Sequence, residues 1–212
     1  PGKVLYGLGN TSYNSLSLML ARIQSQIKKI THPVTLYVLT TEDPCDYAIY
    51  SWCKSQGIDC FRGSTDDVLS RYFHASSQYN LSTIVRLTSD CPFIDPEEIS
   101  RVLDLFFDNG ADYATNSFDD STVMDGGDVE VVSFEALSSA FDKAKLYSER
   151  EHVTHFINQS NGFKCLYLDP CLPFPYTRLT LDTPQDFIVI SKIVDHFGPR
   201  KILDASMLEI SD

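Results

Sequence analysis

The 212-residue chain carries 29 acidic against 17 basic side chains, a formal charge of −12, and 43% of its residues are hydrophobic. That length and apolar share suit one large α/β domain with a substantial core and exclude a disordered chain. The negative charge argues against nucleic acid or an anionic membrane as partner, so any phosphate-bearing ligand has to be met locally, by metal ions and a few basic residues.

No apolar run reaches transmembrane length and the first residues do not resemble a signal peptide, so a cytoplasmic location is expected. The six cysteines (Cys45, Cys53, Cys60, Cys91, Cys165 and Cys171) show neither a Cys-x-x-Cys pair nor zinc-site spacing, and they read as reduced, packed thiols.

The chain opens Pro-Gly-Lys-Val-Leu, and Pro1 and Gly2 resemble the end of a loop. Over residues 12–30 the apolar positions Leu16, Leu18, Leu20, Ile23 and Ile27 recur at roughly helical spacing, and Lys28 and Lys29 suit a helix C-terminus. A strand is predicted at 34–39, a helix opened by Pro44 and stopped by Gly57, and a short strand at 58–61. A glycine turn then leads through Asp66 and Asp67 into a helix bearing Val68, Leu69, Tyr72 and Phe73.

The β-branched, mostly apolar run 83–87 suits a central strand buried on both faces. Asp90 lies just past its end. Asp95, Pro96 and Glu98 then supply a helix N-cap, first-turn proline and first-turn acid, and Gly110 ends that helix. Extended structure resumes at 112–115.

Residues 118–127 form a polar loop with Asp119, Asp120 and Asp125, a plausible lid. It delivers the chain to a strand at 128–133. Helices are predicted at 134–145 and 149–158, strands at 163–168 and 178–181, and a capping box from Thr183 and Asp186 starts the last helix. Strands alternating with helices of crossover length imply a mainly parallel sheet covered on both faces. One domain, 1–212, is expected, with 118–175 as a lobe upon it.

Asp90 and Asp182 are the leading chemical pair. Each ends a strand of what should be one sheet, so both can face the crevice beyond the strand ends and hold a hard cation such as Mg²⁺ against phosphate oxygens. Read as structure alone, they are two independent acids at helix starts.

Glu149, Arg150, Glu151, His152 and Thr154 form a dense polar run, suited to a carboxylate or hydroxyl ligand or to a solvated cap. His152 and His155 are spaced for a metal but lack a third ligand. Asp128 and Glu130 share one face of their strand by alternation. Gly63, Ser64 and Asp67 lie between a strand and a helix, where main-chain N–H groups meet a phosphate or base. Cys91, beside Asp90, is a nucleophile only if a base is positioned for it. There is no Walker sequence and no Gly-x-Gly-x-x-Gly.

Residues 1–5, 61–72 (Phe-Arg-Gly-Ser-Thr-Asp-Asp-Val-Leu-Ser-Arg-Tyr), 85–96, 110–116, 128–137, 148–154 and 181–186 together resemble the cytidylyltransferase-like proteins of spore coat polysaccharide synthesis, relatives of the synthetases that activate sugar acids with CMP. The resemblance implies a fold of the nucleotide-diphospho-sugar-transferase type, Rossmann-like, and a homodimer acting on CTP and a sugar acid.

Residue by residue, it makes Asp90 and Asp182 the Mg²⁺ ligands and Lys3 the lysine that ends the phosphate loop. Gly63, Ser64 and Asp67 become the nucleotide wall, with Arg86 and Asn116 in the same cleft. Asp128, Glu130, Arg150 and His152 fall nearer the acceptor sugar.

Two departures stand out. The family's first strand and its Gln-Ala-Arg-x-x-Ser-x-Arg-Leu lead-in would precede Pro1, and Ser89 replaces a glycine. The alternatives to a cytidylyltransferase are a glycosyltransferase on the same fold and a nucleotide-binding module without turnover.

Overall fold

The structure is a computed structural model that describes residues 2–117, 125–168 and 178–211. A single 3₁₀ turn at Lys3–Leu5 leads to helix α1 (Ser15–Ser25), followed by strand β1 (Val38–Thr41), α2 (Tyr47–Ser55), β2 (Cys60–Gly63), α3 (Val68–Gln78) and β3 (Thr83–Arg86). Then come α4 (Pro96–Asn109), β4 (Tyr113–Thr115), β5 (Glu130–Ser133), α5 (Phe134–Lys143), α6 (Tyr147–Glu151), α7 (His155–Gln159), β6 (Cys165–Tyr167), α8 (Pro184–Asp204) and α9 (Met207–Ser211).

Capping explains many of these boundaries. Asn14 and Ser17 close a capping box that starts α1 later than the apolar spacing suggested, and a separate 3₁₀ turn takes up Ile27–Lys29. Asp95 caps α4 with Pro96 in the first turn, and Gly110 ends it in the left-handed region at φ 57°. The 44–56 helix is divided into a 3₁₀ turn, Pro44–Asp46, and α2. α8 is broken at Gly198 (φ 71°, ψ 168°), where the following Pro199 cannot donate to the helical ladder.

β1 and β2 pair in parallel, and a second sheet has the order β3-β5-β4-β6. Within it β4 and β6 are parallel, while β5 runs antiparallel to both β3 and β4. Among the described residues β5 is therefore the one reversed strand, set between β3 and β4 inside an otherwise parallel arrangement.

Alternation assigns opposite faces of this sheet to different cores. Val85, Ala114 and Val131 pack with α1 and α4, whereas Ile84, Tyr113 and Val132 pack with α3, α5 and α7. A third cluster joins Leu8, Leu18 and Phe93 to Leu179, Leu181 and the apolar side of α8. An apolar cavity of about 500 Å³, walled by Val34–Leu39, Leu81–Val85 and side chains of α1 and α4, lies between β1 and β3.

Three expectations are corrected. The predicted strand at 178–181 is extended but not part of a sheet: Arg178 bridges Asp125, Leu179 N–H donates to Asp125 O, and Leu181 N–H to Asp90 O. The predicted helix 149–158 is two short helices. Between them Val153 takes φ +55°, unusual for a β-branched residue, and Thr154 N–H turns back to His152 O. Asp128 precedes β5 instead of alternating with Glu130 within it. The expected lid falls largely on residues 118–124, outside the described residues, as does Cys171.

Candidate active site

Asp90 is set by the loop that closes β3 against α4. Ser15 Oγ donates to Ser89 O at 2.6 Å, and the buried Arg22 guanidinium donates to the carbonyls of Phe93 and Ile94 from behind. Arg22 also reaches Ile202 and Ala205, binding this loop to the end of α8. Asp182 arrives from the far end of the chain, at the entry to α8. The Thr183–Asp186 capping box fixes that entry.

The two acids meet at Lys3. Its Nζ lies 2.7 Å from Asp182 Oδ1 and 3.3 Å from Asp90 Oδ2. Partial burial presses the lysine pKa down, but the hydrogen bond to Asp182 and the charges of Asp90 and Asp182 outweigh it, leaving the ammonium raised. Asp182 is held below the usual carboxylate range first by the Lys3 hydrogen bond, then by the Lys3 and Arg178 charges.

Arg178 is a member of the cluster that the sequence did not mark as a site residue. Its guanidinium pairs with Asp125 and Asp182, and its Nε lies 3.6 Å from Asp186. Asp128 joins the same region. Asp90, Asp128 and Asp125 all act on the buried Cys91 thiol, which burial and those charges push up to about 12. A thiol so disfavoured as thiolate is no nucleophile, which removes Cys91 from consideration. Asp128 itself is raised, chiefly by desolvation and then by Asp125 and Glu130.

The other candidate residues sort into two groups. Gly63 ends β2, buried beneath Phe61 and Arg71, and Glu42 N–H donates to its carbonyl. Ser64 Oγ accepts from Asp67 N–H, and Asp67 caps α3 through Ser70 N–H. Asp67 Oδ2 also takes Arg150 Nε at 2.9 Å, with Arg150 Nη1 on Phe141 O, so the expected nucleotide wall and the expected acceptor side are joined by an ion pair.

Arg86 and Glu130 form a largely buried pair across β3 and β5, and Tyr113 OH and Thr154 Oγ1 both donate to Glu130. Arg86 Nε is buried without a partner. Asn116, also buried, accepts from Val129 N–H and donates to Gly127 O, so its amide holds the chain leading into β5. His152 is exposed, its ring centroid 6.2 Å from that of His155.

Among the described residues no three His, Cys, Asp or Glu side chains are grouped to hold a metal by themselves. Asp90 and Asp182 nonetheless fit a hard cation that completes its shell with phosphate and water, since each already turns a carboxylate oxygen to one positive charge. In chemical terms this is a carboxylate-rich cluster around two cations, Lys3 and Arg178, just past the carboxyl end of β3.

Fold and site together define an α/β protein of the nucleotidyltransferase type. The cytidylyltransferase family model matches residues 1–195, and the chain belongs to that family. It is 36% identical over 198 residues to an uncharacterised protein of Methanocaldococcus jannaschii, covering 92% of this chain and 77% of that one. With the spore coat polysaccharide biosynthesis protein SpsF of Bacillus subtilis it shares 30% identity over 216 residues, 98% of this chain and 86% of SpsF.

A solved cytidylyltransferase of Leptospira borgpetersenii superposes with a TM-score of 0.86 at 30% identity, covering 99% of this chain and 85% of that one. A CMP:2-keto-3-deoxy-manno-octonic acid synthetase solved with CTP shares the fold, with a TM-score of 0.62 at 11% identity over 93% of both chains.

Proposed function

We propose that the protein transfers CMP from CTP to the hydroxyl of a sugar acid, releasing pyrophosphate, for polysaccharide synthesis. The observation that carries this reading is the convergence of Asp90 and Asp182 on the Lys3 ammonium, in a chain of the cytidylyltransferase family. The attacking hydroxyl forms a bond to the α-phosphorus as the bond to the β-phosphate oxygen breaks.

Asp90 and Asp182 would hold Mg²⁺, which neutralises charge on the phosphate oxygens when bound. Lys3 meets the charge of the pyrophosphate, and Arg178 keeps Asp182 ionised and aimed. Asp128, whose carboxyl is raised chiefly by desolvation, belongs to the acceptor side in this reading. Gly63, Ser64 and Asp67 line the nucleotide side, with Arg86 and Asn116 in the same cleft behind it. Glu130, Arg150 and His152 face the acceptor side.

The lobe of residues 118–175 carries exposed Leu146, Tyr147 and Tyr167, which support it as the contact of a homodimer. Among the described residues no helix is long and apolar enough to cross a membrane.

The test is release of pyrophosphate from CTP across a panel of sugar acids with and without Mg²⁺. Product that depends on acid and metal together supports the reading. Absence of pyrophosphate, with free nucleotide released from a nucleotide sugar instead, overturns it.

A further inference from the structure

Asp90 and Asp182 are not idle carboxylates waiting for a metal. Lys3 already holds one oxygen of each, at 3.3 and 2.7 Å. Its main chain is fixed, because Val4 is buried in the core and Leu5 N–H closes the turn on Gly2 O. The four-carbon stem beyond it is half exposed and free to swing. Arg178, the other cation at Asp182, is held by Asp125, Asp182 and Asp186 at once. One cation of the cluster is therefore pinned, and the other is tethered but movable.

We propose that Lys3 is an internal placeholder cation: without nucleotide its ammonium occupies the seat between Asp90 and Asp182, and it leaves for the triphosphate when metal and nucleotide arrive. This rests on the reading of Asp90 and Asp182 as the metal-binding pair. A divalent ion entering between the two acids with Lys3 still in place would set three positive charges within a few ångströms, so the two cations exclude each other.

The triphosphate breaks the tie, because it offers the ammonium oxygens of higher charge density just beyond the carboxylates. Nucleotide binding thereby frees the seat, and metal binding frees the lysine. The two are coupled, and free metal alone meets an occupied site. The placeholder also offsets the repulsion between two carboxylates that the main chain sets side by side in a chain of −12 charge.

The experiment counts bound Mn²⁺ by electron paramagnetic resonance in nucleotide-free protein, comparing wild type with K3M, K3Q, K3R, D90N and D182N, each checked for fold by circular dichroism. Removing two partly exposed ion pairs to Lys3 should tighten Mn²⁺ binding in K3M and K3Q roughly fivefold to tenfold. K3R, which retains the charge, should stay near wild type.

If K3M and K3Q bind Mn²⁺ no more tightly than wild type while D90N and D182N lose it, the placeholder role is wrong and the metal site stands. If D90N and D182N bind Mn²⁺ as wild type does, the metal site itself is wrong, and the placeholder with it.

Discussion

The main-chain N–H of Leu181 donates to the carbonyl oxygen of Asp90 at 2.8 Å, so the residue before Asp182 is fastened to Asp90 itself. Leu181 is buried in the cluster with Phe93 and α8, burial that contributes about 2 kcal/mol for a side chain of its size. Two acids from distant parts of the chain are thus neighbours by main-chain bonding and packing, independently of the salt bridges their side chains make.

D90N and D182N should therefore fold and fail to turn over. Each keeps the main-chain link and loses a formal charge beside Lys3, and under the proposed function a loss of roughly 10²- to 10³-fold in kcat is expected. Thermal melts of the two variants should stay within a few degrees of wild type. A variant that retains a tenth of the wild-type rate would show that its carboxylate is not needed in the transition state.

Gly126 should tolerate no side chain. It sits at φ +105°, and an added Cβ would come within 2.9 Å of the Leu179 main chain, which cannot step aside without moving Arg178 and Asp182. G126A should lower kcat by about tenfold or more through misplacement of Asp182. Steady-state kinetics and a melting curve together check this, since ordinary activity in G126A would mean that the 178–182 segment is positioned by other contacts.

The Arg86–Glu130 pair allows a separation of framework from site. Glu130 accepts from Arg86, Tyr113 and Thr154, and E130Q would leave the Arg86 charge buried and uncompensated. A loss of about 3 kcal/mol is expected. A double variant with methionine at both positions should be less destabilised than the sum of the singles, as chemical denaturation can measure. If the double variant also retains the acceptor KM, Glu130 supports the site without touching the sugar.

Acid should weaken the α8 entry. Asp182 and Asp186 are both depressed, Asp182 chiefly by the Lys3 hydrogen bond and Asp186 chiefly by the main-chain N–H of Thr183. A carboxyl with a lowered folded pKa contributes stability that is present above its unfolded value, about 4, and lost as pH falls through the folded value. Stability should therefore decline below about pH 4, and D186N should make that decline shallower in a pH series of melts. Both carboxyls face water in part, so the effect is small. T183A, which removes the cap at all pH values, should cost about 1 kcal/mol.

The elements most legible in the sequence were those fixed by local chemistry. Asp95, Pro96 and Gly110 bound α4 at the expected residues, and Thr183 with Asp186 starts α8, because a cap is a bargain between residues three or four apart. Strand ends were less legible. β1 begins at Val38, four residues beyond the start of the apolar run at Val34, and the run's first part lines the cavity ahead of the paired residues.

Asn116, Asp67 and Arg150 carried the right chemistry for a ligand in the sequence. Their hydrogen bonds in the fold go largely to main chain and to one another. Arg178 gave no local signal at all.

By itself the sequence determined an acidic α/β chain with its caps in place and two aspartates each stationed ahead of a helix start. Only the tertiary structure decided that those aspartates share one lysine, that β5 runs against its neighbours, and that Arg178 completes the cluster. Capping and alternation act over a few residues and leave their mark in order along the chain. Lys3, Asp90 and Asp182 come together through long-range packing and main-chain bonds, which no local pattern records.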